Sequence, residues 1–122
     1  MAPNIFLVDD DDVVRDSVRV LLETRNFTVT DFPSGDAFLR RSTNDAGDCM
    51  LLDLHMPGMT GMDLLKQLRR RGDKTPVILI TGRLDSNAQA EAQNLGVPLL
   101  EKPVSPQVLF AAIEDALHPR AC

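Results

Sequence analysis

Short strand-like runs alternate with stretches of helical spacing along this chain, and few architectures accept that pattern. Asn4–Val8 is apolar and stops abruptly at Asp9–Asp12. Asp11 or Asp12 can cap a helix in which Val14, Val18, Leu21 and Leu22 recur at helical spacing, with Arg15, Arg19 and Glu23 between them. Phe27–Asp31 alternates and is β-branched, which predicts a second strand. Pro33, Ser34 and Gly35 make a loop before a short helix bearing Ala37, Phe38 and Leu39. Cys49–Leu52 is continuously apolar, the mark of a strand covered on both faces, and it ends at Asp53. A turn-rich stretch leads to a helix carrying Met62, Leu64, Leu65 and Leu68. Lys66, Arg69, Arg70 and Arg71 lie toward its end, where cations suit the helix dipole, and Gly72 stops it. Pro76–Ile80 predicts a fourth strand, ending at Thr81 and Gly82. A weak helix over about Ser86–Leu95 has only Ala88, Ala92 and Leu95 on its apolar face and closes at Gly96. Val97–Leu100 predicts a fifth strand before Glu101, Lys102 and Pro103. Ser105–Leu117 is the last helix, with Ser105 as N-cap, Pro106 first, and Leu109, Ala112, Ile113 and Ala116 facing inward.

Five such units imply an α/β fold with a parallel sheet and helices on both faces. At 122 residues the chain fits one domain, residues 1–122 with a core over about 4–117, and falls far short of the roughly 250 residues of an eight-stranded barrel. The expected architecture is a doubly wound five-stranded parallel sheet, flavodoxin-like (βα)5, in strand order 2-1-3-4-5. Ligands of such sheets bind beyond the carboxyl ends of the strands, where the strand order reverses. The net charge of −5 argues against a nucleic-acid-binding module. The apolar runs are too short for a membrane span, and no secretory leader is recognisable. Cys49 reads as a small buried hydrophobe and Cys122 as a frayed last residue; this sparse usage suits a reducing cytoplasm, the expected location.

Chemistry concentrates at the strand ends. Strand one ends in Asp9 and Asp10, strand three in Asp53, strand four in Thr81 and strand five in Lys102. In the expected order these strands are neighbours, whereas Asp31 on the outer strand lies too far out to join. Three carboxylates and one lysine leave a charge of about −2, which a hard divalent cation neutralises. Oxygen ligands of this kind suit Mg²⁺. A carboxylate beside Mg²⁺, a lysine and a hydroxyl is equipped to take a phosphoryl group as an aspartyl phosphate.

The run Val8-Asp9-Asp10-Asp11, the phrase Asp53-Leu54-His55-Met56-Pro57-Gly58-Met59-Thr60-Gly61, the strand end Thr81-Gly82 and the triplet Glu101-Lys102-Pro103 resemble the receiver domain of two-component response regulators. The resemblance covers Asn4 to about Leu117. It is nearest to receivers that precede helix-turn-helix domains in nitrogen-fixation-type regulators. It implies that Asp53 is the phosphoacceptor, served by a sensor histidine kinase. It implies that Asp9, Asp10 and Asp53, with the main-chain carbonyl of His55, hold Mg²⁺. It also implies that Thr81 binds the phosphoryl group, that Lys102 pairs with Asp53 and then with its phosphate, and that the Lys102–Pro103 bond is cis. Such a domain is not an enzyme beyond its own phosphorylation and dephosphorylation. Phosphorylation is expected to promote a homodimer or a partner complex through the fourth helix, fifth strand and fifth helix; Phe110 and Leu117, on the flank of the last helix's inward stripe, are candidate contacts, though a broad core stripe is their plainer reading.

Blander readings stand beside this one. Asp11 and Asp12 are ordinary capping residues, the methionines at 56, 59 and 62 are packing, and Arg69–Arg71 with Lys74 is a solvated helix end. His55 and His118 have no second ligand at metal spacing. An aspartyl-phosphate phosphohydrolase needs a second aspartate two residues after the nucleophile, where this chain has His55; a pseudo-receiver needs no intact site, which this chain has. Two departures from the family pattern lie together. Leu99 stands where an aromatic is usual, and the stretch from Gly96 to Lys102 is one residue short, with Pro98 opening the strand.

Overall fold

The computed structural model describes residues 2–41 and 46–118, so Cys122 lies outside the described residues. Ten elements alternate: β1 (Asn4–Val8), α1 (Asp12–Glu23), β2 (Thr28–Phe32), α2 (Gly35–Leu39), β3 (Cys49–Asp53), α3 (Gly61–Arg70), β4 (Val77–Thr81), α4 (Ser86–Leu95), β5 (Leu99–Glu101) and α5 (Pro106–Leu117). The strands form one parallel sheet in the order β2-β1-β3-β4-β5, as the alternation predicts.

Residues of period two divide each central strand between two cores. Phe6, Val8, Met50, Leu52, Val77 and Leu79 face α2, α3 and α4. Ile5, Leu7, Cys49, Leu51, Ile78 and Ile80 face α1 and α5. Phe6, Phe32 and Phe38 meet edge to face on the first side, with centroids 5.1 to 5.8 Å apart. Cys49 is fully buried, and burial pushes its thiol up to about 12, which leaves it inert as a nucleophile.

Three strands begin later than the sequence predicts, each for a backbone reason. Phe27 is not in β2, because its N–H bonds back to the Leu22 carbonyl at 3.3 Å and closes α1. Pro76 has no N–H to give; its carbonyl accepts from Met50 before β4 starts. Val97 bonds back to Ala92 at 3.0 Å, across the left-handed Gly96 that ends α4, so β5 starts at Leu99. β2, β3, β4 and β5 also run one residue further than predicted, to Phe32, Asp53, Thr81 and Glu101.

Side-chain anchors differ between helices. α3 buries Met62, Leu64, Leu65 and Leu68 and carries a capping box of Thr60 and Asp63. α4 buries only Ala88 and Ala92. Each buried leucine contributes roughly 1.5–3 kcal/mol. The Lys66–Glu91 ion pair that ties α4 to α3 is exposed and adds at most about 1 kcal/mol. Amides in α4 are therefore expected to exchange roughly a hundredfold faster than those of Val77–Ile80. Hydrogen exchange read by NMR or mass spectrometry checks this, and equal protection of the two segments refutes it.

Candidate functional site

The register of the sheet assembles the acidic edge. Val8 pairs with Leu52, so Asp9 and Asp53 stand abreast just beyond the pair. Thr81 pairs with Glu101, which places Lys102 one step past it. Asp9, Asp53 and Thr81 are the described polar residues buried at this level, at 4%, 6% and 0% exposure. Asp10 is exposed at the rim.

Asp9, Asp10 and Asp53 each offer an oxygen, and the three lie within 4.8 Å of one another. The Lys102 ammonium is 3.5 Å from Asp9 Oδ2 and 3.6 Å from Asp53 Oδ1. The His55 N–H donates to Asp53 Oδ1 at 3.3 Å, and the Asp11 N–H donates to Asp9 Oδ1 at 2.9 Å. Burial pushes the Asp53 carboxyl up to about 6; Lys102 opposes this, Asp9 adds to it, the His55 N–H opposes it and Asp10 adds a little. The donors are all hard oxygens with one side open to solvent, a set that fits Mg²⁺ with several retained waters.

All the residues read from the strand ends gather here, with one qualification. The Thr81 hydroxyl faces its own loop: it donates to the Arg83 carbonyl at 2.9 Å and accepts from the Arg83 N–H at 3.1 Å. His55 is exposed, and its main-chain N–H, not its ring, reaches the site. The Lys102–Pro103 bond is cis.

Two positioning residues escaped the sequence reading. Arg15 donates to the Asp9 carbonyl at 2.8 Å and to Asp31 and Asp12 at 3.0 and 2.6 Å. It pins the loop that carries Asp9, and through it Asp31, set aside as too distant, supports the site. The spacing of Asp12 and Arg15 on one helical face was the available signal. Gly61 is the other. A Cβ there would overlap the Asp53 carbonyl oxygen, so the close approach of α3 to the end of β3 needs glycine. Nothing local in the sequence marks that approach.

Phe110 is not a free contact. It is buried, stacks on Phe27 at 6.4 Å and lies under the Arg25 guanidinium, while Leu117 packs half-buried on the same core.

The raised Asp53 carboxyl has a consequence for stability. Its value in the fold, about 6, exceeds the ordinary 3.8. The unfolded chain therefore loses this proton first, and stability falls as pH rises from about 4 to about 6. In metal-free buffer at pH 7, Asp53→Asn is expected to be more stable than the parent by about 1–2 kcal/mol, less than the full shift because the site opens to solvent. The difference should vanish below pH 4. Urea unfolding at pH 7 and pH 3.5 checks it, and an equal difference at both refutes it.

Comparison with known proteins agrees with this geometry. The family model for the response regulator receiver domain matches residues 5–114. The transcriptional regulatory protein FixJ of Bradyrhizobium diazoefficiens is 37% identical over 94% of this chain and 57% of its own length. The FixJ of Azorhizobium caulinodans is 39% identical over 93% of this chain and 54% of its own. The chain thus spans about half the length of these relatives. The crystal structure of FixJ-N superposes with a TM-score of 0.87 at 32% identity, covering 100% of this chain and 98% of that one. The response regulator StyR superposes with a TM-score of 0.85 at 38% identity, covering 96% of this chain and 60% of that one. Fold, acidic edge and sequence converge: the chain belongs to the response regulator receiver domain family of two-component signalling proteins.

Proposed function

We propose that this receiver takes a phosphoryl group from the phosphohistidine of a sensor histidine kinase onto Asp53 and thereby switches an output face. The observation that carries the reading is the buried Asp53 carboxylate, with Lys102 3.6 Å away and Asp9 abreast. An Asp53 oxygen forms the new P–O bond as the P–N bond of the donor breaks. The electron pair stays on the imidazole nitrogen, which is protonated from solvent. Asp9, Asp10, Asp53 and the His55 main-chain carbonyl would hold Mg²⁺, which would supply positive charge to offset that of the phosphoryl group. Lys102 moves its charge from the carboxylates to the transferred group. Thr81 turns its hydroxyl from the Arg83 carbonyl to a phosphoryl oxygen. The domain acts only on itself. Residues 1–122 work as one receiver unit in the cytoplasm, and the likeness to named transcriptional regulators supports transcription as the output.

Acetyl phosphate with Mg²⁺ is expected to add one phosphoryl group to the intact mass. Asp53→Asn should abolish the gain, and chelation of Mg²⁺ should reduce it more than tenfold. Equal labelling of the Asn variant overturns the assignment.

Output is proposed to pass through α4, β5 and α5, as a homodimer or a partner complex. Leu99 is half-buried against the core shared with α4 and pairs with Leu79 in the sheet. Leucine moves less surface than an aromatic and has no hydroxyl, so the two states differ little there. Beryllofluoride with Mg²⁺ should shift amides around Asp53 and Thr81 strongly and those of residues 95–102 modestly, with light scattering reading any dimer. Large shifts over 95–102 that vanish in Leu99→Ala show a full leucine switch and refute the weak-lever reading.

A further inference from the structure

A cavity of about 500 Å³ lies between α1 and α5 and opens at the acidic site. α1 packs on β1 and β2, and α5 packs on β3 and β4, so the strip of sheet between them is thinly covered. Of the inward stripe of α1 only Leu22 is buried; Val14, Val18 and Leu21 stay half-buried and line the cavity. Leu51, Ile80 and Leu109 line it from the sheet and α5. Side-chain size contributes to the gap: from α1 it is faced by two short valines, Val14 and Val18, and α5 reaches it with Leu109. A space of this volume with apolar walls and a few convergent polar groups has the character of a small-molecule site.

The mouth sets the ligand's polarity. Asp9, Asp53 and Lys102 line it, a net charge of −1, and Asp10 on the rim makes it −2. Lys102 stands 3.5 and 3.6 Å from the two carboxylates, longer than an ordinary charge-assisted hydrogen bond, so both keep acceptor capacity. An anionic head would meet one lysine and two repelling carboxylates. Water inside the apolar part finds few partners. We propose that this cavity binds a small cationic amphiphile, a primary amine with a short aliphatic tail, its ammonium on Asp9 and Asp53 and its tail between Val14, Val18 and Leu109. Head and divalent cation then compete for the same oxygens. The inference does not rest on phosphorylation of Asp53: binding is read without a phosphodonor, so either reading can fail alone.

Methyl and amide NMR titrations of the full chain at pH 7 test it with n-butylamine, n-hexylamine, n-hexanol and hexanoate. Saturable shifts are expected at the Val14, Val18 and Leu109 methyls. Affinity should rise about fourfold per added methylene, the factor equivalent to about 0.8 kcal/mol. Hexylamine should bind at least tenfold more tightly than hexanol, and Mg²⁺ should weaken it severalfold. Val18→Phe fills the cavity and should abolish binding; Val14→Phe serves if that variant does not fold. The proposal is overturned if hexanol or hexanoate binds as tightly as hexylamine, or if the shifts lie elsewhere. It is also overturned if no amine saturates, which leaves a partner's side chains as the occupants of this space.

Discussion

Asp9 and Asp53 are held side by side in a poorly solvated corner against their mutual repulsion, and much of the molecule serves that juxtaposition. Parallel pairing of β1 with β3 sets them abreast. Arg15 clamps the backbone of one, and the glycine contact of α3 with the end of β3 fixes the other. The repulsion is only partly relieved by one lysine, held at loose distances. Under the proposed function such an arrangement would respond strongly to an added cation and to a phosphoryl group, because ligands shift a state by their differential affinity for it. The strain and the function are thus one property of the same edge.

The fold was legible because its signals are local. Apolar runs of strand length, helical stripes, Ser105 before Pro106 and the glycines after α3 and α4 each act within a few residues, and all pointed to the same topology. The acidic edge was legible because a parallel sheet places every strand's carboxyl end at one rim, so residues far apart in sequence needed only their strand positions to be brought together. What escaped was set by backbone bonds and close approaches that side-chain type does not show. The start of β5 depends on a backward bond from Val97 to Ala92, which apolar character at Val97 does not reveal. The role of Gly61 depends on how closely a helix approaches a carbonyl. For Phe110 the angle on the helix left a contact and a broad core stripe both open, and Phe27 and Arg25 in the turn between α1 and β2 decide for the core.

Anchoring is distributed unevenly around the site. α3 is sealed by four large side chains and follows the loop after Asp53, so Asp53 sits on a firm base. α4, next along that face, rests on two buried alanines, the half-buried Leu95 and an exposed ion pair. Thr81 ends the strand between them, and its hydroxyl is held by the loop leading to α4 rather than by the acidic cluster. A hydroxyl drawn toward a phosphoryl group must release both of its bonds to Arg83. The loop that loses them leads into the least anchored helix of that face, where rearrangement opposes the smallest loss of buried surface.

Leu99 sits downstream of that loop, on an edge strand of three residues. Its neighbour in the sheet is Leu79, and its side chain packs on the core shared with α4. A rigid aromatic in such a place has two well-separated positions, inward and outward, and can report which one is occupied. A leucine has rotamers that differ by less buried surface, so the free-energy gap between positions is smaller. In the proposed switch, the same input at Asp53 and Thr81 would reach the outer face less through one side chain and more through displacement of α4 itself. The weak alanine anchoring of α4 and the leucine at 99 are therefore complementary: a softer lever is matched by a more readily moved helix.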